Sequence, residues 1–174
     1  MTEEEFGVPQ PPDIEEKWIL KNVQKVGIPL LMLLPLLALF GLFGERTETV
    51  RGSGEILSVE VRHPTRVRLQ TIGPMMVSVE NISSQTVPTV TVTLSHEYIS
   101  AFSNVTFSPS VDQITPDAYI VKLTNVQAGE QRMISITQLQ AEEYWWHEGS
   151  VGVAAGGPDA PPDVEVDIGT FVFP

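Results

Sequence analysis

From Val26 to Gly44 the chain reads VGIPLLMLLPLLALFGLFG, nineteen residues without a charge or a strongly polar side chain. Coiled as a helix at about 1.5 Å per residue, such a run is roughly 28 Å long, close to the hydrocarbon thickness of a bilayer. A helix buried in a soluble core is the alternative, but core helices usually keep a polar stripe. Pro29 falls in the expected first turn, where a missing N–H does no harm, and Pro35 is expected to kink the span, which membrane helices tolerate. Ala38, Gly41 and Gly44 recur every third residue and offer a weak small-residue contact face. A cleaved signal peptide needs a short basic leader and a small-residue cleavage site. This chain opens with Glu3, Glu4 and Glu5, and the run ends Phe43-Gly44-Glu45-Arg46. The expectation is an uncleaved signal anchor, one transmembrane helix over residues 26–44.

The flanks set orientation. Lys17, Lys21 and Lys25 precede the span, and Arg46 and Arg51 follow it. A narrow excess of positive charge before the span favours a cytoplasmic N-terminus and a periplasmic or extracellular C-terminal domain on the inner membrane. Residues 13–25 read as a short interfacial helix. Trp18 suits the headgroup zone, while Lys17, Lys21, Lys25 and, beyond the span, Arg46 are placed to reach lipid phosphates. A charged leader with no lipid contact fits the same residues. Residues 1–12 carry three Glu and several Pro and Gly and are expected to be extended.

Past the span the texture changes. Residues 45–54 read as a polar linker and residues 55–174 as one β-rich domain. Strands are expected at residues 56–61, 66–72, 75–80, 89–94, 105–107, 119–123, 132–139, 151–155 and 164–173. Val, Thr and Ile dominate them at period two. His63-Pro64, Gly73-Pro74, residues 81–84, residues 108–110, residues 115–117, residues 128–130 and residues 156–158 supply turn chemistry between them. Short strands at regular spacing indicate an all-β immunoglobulin-like antiparallel sandwich. The C-terminal run from Val164 to Phe173 would close the domain's own sheet or add to a partner's sheet edge.

The stretch VSVENISSQTVPTVTVTLS (residues 77–95) resembles the opening of immunoglobulin-like domains of the bacterial and archaeal conserved-repeat and CARDB kind. A strand ends there in Asn81, a polar turn follows, and the next strand is rich in Val and Thr. Residues 119–123, the Ala128-Gly129-Glu130 turn and residues 133–136 are similar to later strands of the same family. The resemblance spans roughly residues 75–155. It implies a sandwich fold and roles as spacer, adhesion module or assembly platform. The chain departs from that pattern by adding strands on both sides and by carrying a single copy.

Chemistry is sparse. There is no cysteine, which removes disulfides and thiolate sites. The net charge of −12 argues against nucleic acid as a partner. His63, His96 and His147 stand far apart without metal-ligand spacing, and no nucleophile elbow, phosphate loop or dinucleotide fingerprint occurs. No enzyme activity, cofactor or metal is expected. The outstanding segment is Tyr144-Trp145-Trp146-His147. Neighbours on a strand face opposite ways, so at least one indole should point outward, as a partner-contact anchor or at the membrane interface; the alternative is that Trp146 plugs the sandwich and Trp145 covers a loop. Arg62, Arg66 and Arg68 cluster early in the domain, as a solvated strand face or as a contact for anionic lipid or an acidic neighbour subunit, whereas Asp159, Asp163, Glu165 and Asp167 belong to an acidic remainder that serves solubility or suits a basic soluble protein. The function expected is a non-catalytic, membrane-anchored accessory or assembly subunit docking on an integral membrane complex, a respiratory or photosynthetic one being one setting. A cell-surface adhesion or envelope-binding module is one alternative, and a ligand or metal sensor another.

Overall fold

The computed structural model describes the backbone of residues 14–39 and 44–174, and side chains from residue 25 onward except residues 34, 38 and 40–43. The extended segment expected at residues 1–12 lies outside the described residues. So do the side chains of Lys17, Trp18, Lys21 and Ala38, and the whole of Gly41. The chain divides into two units at Gly44 and Glu45.

In the first unit one helix, α1 (Ile14–Leu39), runs unbroken through the expected interfacial segment into the apolar run, with Pro29 and Pro35 both inside it. Pro29 is therefore an interior residue and not part of a first turn. Val26, Ile28, Leu30, Leu31, Met32, Leu33, Leu36 and Leu39 are all exposed. At 100° per residue they point to every side of the helix. Over the described residues no helix is long and apolar enough to cross a membrane.

The second unit is a β-sandwich. Its strands are β1 (Arg46–Ser53), β2 (Leu57–Arg68), β3 (Ile72–Asn81), β4 (Val87–Ser95), β5 (Phe102–Ser103), β6 (Thr106–Ser108), β7 (Gln113–Ile114), β8 (Ala118–Val126), β9 (Gln131–Ala141), β10 (Trp145–Ala155) and β11 (Val164–Phe173), with a one-turn helix α2 (His96–Ser100) after β4. The order across the sheet is β5-β9-β3-β2-β11-β10-β4-β8-β7, with β1 against β2 and β6 against β9. Only the β11–β2 pair is parallel. It joins one layer (β9, β3, β2) to the other (β11, β10, β4, β8), and both layers bury their inward residues in a single core.

Alternation builds that core. On β2, Leu57, Val59 and Val61 are buried while Arg62 is exposed; on β11, Val164, Val166, Ile168 and Val172 are buried while Glu165 and Asp167 are exposed. Each apolar side chain taken fully from water contributes about 1.5–3 kcal/mol. A register slip by one residue would turn that whole set outward, so the pairing is strongly specified.

Two expectations are corrected, and one left open is settled. The polar linker at residues 45–54 is instead β1, paired along its length with β2. It is an edge strand with mostly exposed side chains, so its sequence carries little hydrophobic alternation. At Gly52 it crosses so close to β11 that an added Cβ would lie 2.6 Å from Val164 and 2.7 Å from Val166. His63-Pro64 is not a turn but the interior of β2. Pro64 has no N–H to give to a ladder and stands where β2 leaves β3, last paired at Arg62–Met76, and joins β11 at Arg66–Phe171. The reversal comes later, at residues 69–71, where Gln70 takes φ +62°. Finally, β11 lies between β2 and β10, so the C-terminal run serves the domain's own sheet and offers no free edge.

Candidate functional site

Trp145 and Trp146 are both exposed, at 74% and 54%. Strand alternation alone would turn one of them inward. The exception has a backbone cause: Trp145 has φ +86°, a conformation rare for a bulky residue, at the first position of β10. The twist there leaves Trp145 outward, and alternation resumes at Trp146. Tyr144, in the preceding turn, is also exposed. His147 is not presented with them. It is half-buried near Phe102, with ring centroids 6.4 Å apart, and its Nε2 lies 3.1 Å from the Glu143 carbonyl oxygen, closing the turn. Of the four residues expected as a contact, three are exposed together and His147 is not.

Trp146 is held in place. Its Nε1–H donates to Glu148 Oε1 at 2.6 Å, and its ring is tilted against Phe171 at 6.3 Å. The indole lies across Gly169, where an added Cβ would sit 3.0 Å from it, so a bare α-carbon makes room for the ring. Register then builds a row across four strands: Arg46 opposite Arg66, Arg66 opposite Phe171, Phe171 opposite Trp146. One step along β2 and β11, the Arg68 guanidinium stands 5.8 Å over the Phe173 ring. Arg62, expected in the same cluster, sits farther back on β2 opposite Met76.

Beside Trp146 a surface cleft of about 590 Å³ is lined by Glu97, Glu148, Asp167, Ser95 and Ser150. A second, of about 510 Å³, lies between the β3–β4 turn and the end of β10, lined by Ile56, residues 83–89 and residues 155–157. Not all the expected acidic face is free to meet a partner. The Asp163 carboxylate accepts backbone N–H groups of Glu55, Ile56 and Leu57 at 3.3, 3.0 and 2.7 Å, tying down the β1–β2 turn. Glu165 and Asp167 face outward on β11.

The histidines are dispersed. His96 stacks on Tyr119 at 5.3 Å, His147 is at the β10 turn, and His63 is buried. Among the described residues no group of three or more His, Asp or Glu could hold a metal ion. His63 belongs to a polar knot that sequence reasoning missed. Thr170 Oγ1 donates to the Pro64 carbonyl, so its oxygen is left to accept from the Tyr98 hydroxyl at 2.7 Å. His63 Nδ1 stands 3.2 Å from the same carbonyl and must carry a proton to bond it. The knot satisfies backbone polarity where β2 changes partners. Burial pushes the Tyr98 hydroxyl up to about 12, keeping it a donor, and burial pushes His63 below its ordinary value.

No family model matches the chain, and no curated relative matches it. Among solved structures it is similar to the CARDB domain of a Pyrococcus furiosus protein in complex with di-metal ions, at 12% identity, covering 70% of this chain and 97% of that domain, with a TM-score of 0.47. It is also similar to BslA, a bacterial hydrophobin, at 9% identity over 71% of this chain and 99% of that one, TM-score 0.46. The third is WR4, a C. elegans member of the MSP family, at 9% identity over 68% and 99%, TM-score 0.33.

Proposed function

We propose that this chain is a non-catalytic, single-pass membrane-anchored interaction module, in which α1 with the rest of the apolar run anchors the sandwich and Tyr144, Trp145 and Trp146 supply its exposed aromatic contacts. The observation that carries the reading is the exposure of apolar side chains on every side of α1 over its described residues 26–39. A helix apolar all round is stable in lipid or in a protein core, and in water it is not. The N-terminus is placed in the cytoplasm and the sandwich on the outer side, on the Lys and Arg balance of the flanks. The partner is an integral membrane complex for which this chain is an accessory subunit. A specific feature favours action close to the bilayer: residues 45–54 are not a tether, since β1 begins at Arg46, two residues after the apolar run ends at Gly44.

The second reading, an adhesion or envelope-binding module, draws on the same exposed indoles, which could anchor a contact with an envelope component. Purification of the full chain from its native host in mild detergent separates the two. Co-migrating membrane proteins at fixed stoichiometry are expected for the subunit. A chain that runs alone and is retained on isolated envelope material supports the alternative and overturns the subunit reading.

A further inference from the structure

The geometry points to a second contact of this domain with lipid: the row Arg46, Arg66, Phe171, Trp146, with its flanks Trp145, Arg68 and Phe173, seats on the phospholipid headgroup layer. The inference rests on the anchored reading above. Its basis is position, chemistry and charge.

Position comes first. Arg46 is the second residue of the domain, directly after the end of the apolar run. The register carries its row across β2, β11 and β10 to Trp146. The β2–β3 turn closes on the same end, since Leu69 N–H donates to the Phe173 carbonyl and Gln70 N–H to the Ala141 carbonyl. Chain entry, C-terminus and aromatic turn thus share one edge of the sandwich.

The chemistry of that edge is interfacial. Indole rings prefer the headgroup zone, where an apolar face meets acyl chains and a polar edge meets water. Guanidinium groups match phosphate oxygens in a bidentate fork. Trp145 is turned outward by a backbone conformation that a bulky side chain disfavours, and little in the domain packs on it.

Charge supplies the direction. From Glu45 on, the domain has sixteen Asp and Glu against seven Lys and Arg. At this edge Arg46, Arg66 and Arg68 stand against Glu45, Glu142, Glu143 and Glu148. The remainder holds twelve acidic residues against four basic ones. A negatively charged leaflet therefore repels the remainder of the domain more than this edge.

The test uses the three tryptophans. Trp18→Phe leaves Trp145 and Trp146 as the only indoles. The full chain with that substitution is mixed with vesicles of phosphatidylcholine and phosphatidylglycerol, with or without bromine on the acyl chains near the headgroup. Flotation reads the anchor, and quenching reads the edge. The expected result is flotation with blue-shifted emission and about a twofold or greater loss of intensity on brominated lipid. Flotation with unquenched, red emission overturns the inference and leaves the anchor standing. If the chain does not float, the anchored reading fails. The domain Glu45–Pro174, a separate unit with its own core, then decides alone: emission that shifts to the blue on added vesicles supports the edge, and unchanged emission overturns it. Arg68→Glu with Trp145→Ser, both at exposed positions, should abolish the quenching while the melting temperature stays put.

Discussion

The two halves of β11 obey one rule on the inside and different rules on the outside. Inward, Val164, Val166, Ile168 and Val172 are buried along the length of the strand. Outward, the first half carries Glu165 and Asp167, opposite Gly152 and Ser150, and the second carries Phe171 and Phe173, opposite Trp146 and above Arg68. At one end an aspartate, Asp163, serves the fold by binding three backbone N–H groups. At the other, rings and guanidiniums gather on the outer face. The difference separates two kinds of information. The inner face specifies the sandwich, and the aromatic end of the outer face carries the contact proposed above.

If that division is right, inner-face changes should cost stability wherever they fall, and outer-face changes should cost contact only at the aromatic end. The largest effect is expected for Ile134→Ala or Ile136→Ala, both fully buried on β9, at about 2–5 kcal/mol in denaturant unfolding. A loss below about 1 kcal/mol would mean the core is looser than the alternation implies. Next comes the knot at the β2 changeover. Thr170→Val removes a donor from the Pro64 carbonyl and an acceptor from Tyr98, and should cost about 1–3 kcal/mol. Tyr98→Phe should cost less, since Thr170 keeps its own acceptor.

The same knot predicts a pH dependence. His63 is pushed below its ordinary value of 6.5, so the folded domain prefers it neutral. Its contribution is present above pH 6.5 and is lost as pH falls from there through the folded value. Melting temperature should therefore drop between pH 7 and pH 5, and His63→Gln should flatten that part of the drop. A variant with an unchanged slope would place the acid sensitivity elsewhere. The smallest stability effect belongs to the aromatic end. Trp145→Gly relieves a positive φ that costs about 1 kcal/mol or more and removes little packing, so its melting temperature should be no lower than wild type. A clear fall would mean Trp145 is a structural residue after all.

Much of the inner face was legible from the sequence. The strand expected at residues 164–173 is β11 to the residue, because strict alternation of Val and Ile with Glu and Asp has one physical meaning. The sandwich is likewise legible from Val- and Thr-rich runs separated by turn residues. β1 was hidden because an edge strand that buries little shows no alternation. The β2 changeover was hidden because Pro64 signals a turn equally well, and only the distant Thr170 makes a strand interior tolerable there. Of the contact site, the Tyr-Trp-Trp segment was visible by composition. Its neighbours Phe171, Phe173 and Arg68 were not: Phe171 meets Trp146 across an antiparallel pair, and Arg68 reaches Phe173 only through a parallel pairing about a hundred positions apart, which leaves no local trace.

The most direct measurement of membrane anchorage is alkaline carbonate extraction of membranes from cells expressing the full chain, alongside the domain Glu45–Pro174 alone. The full chain should stay with the membrane pellet while the domain is released, folded, into the supernatant. Release of the full chain together with the domain would contradict an anchored module and return α1 to the status of a helix that packs against protein.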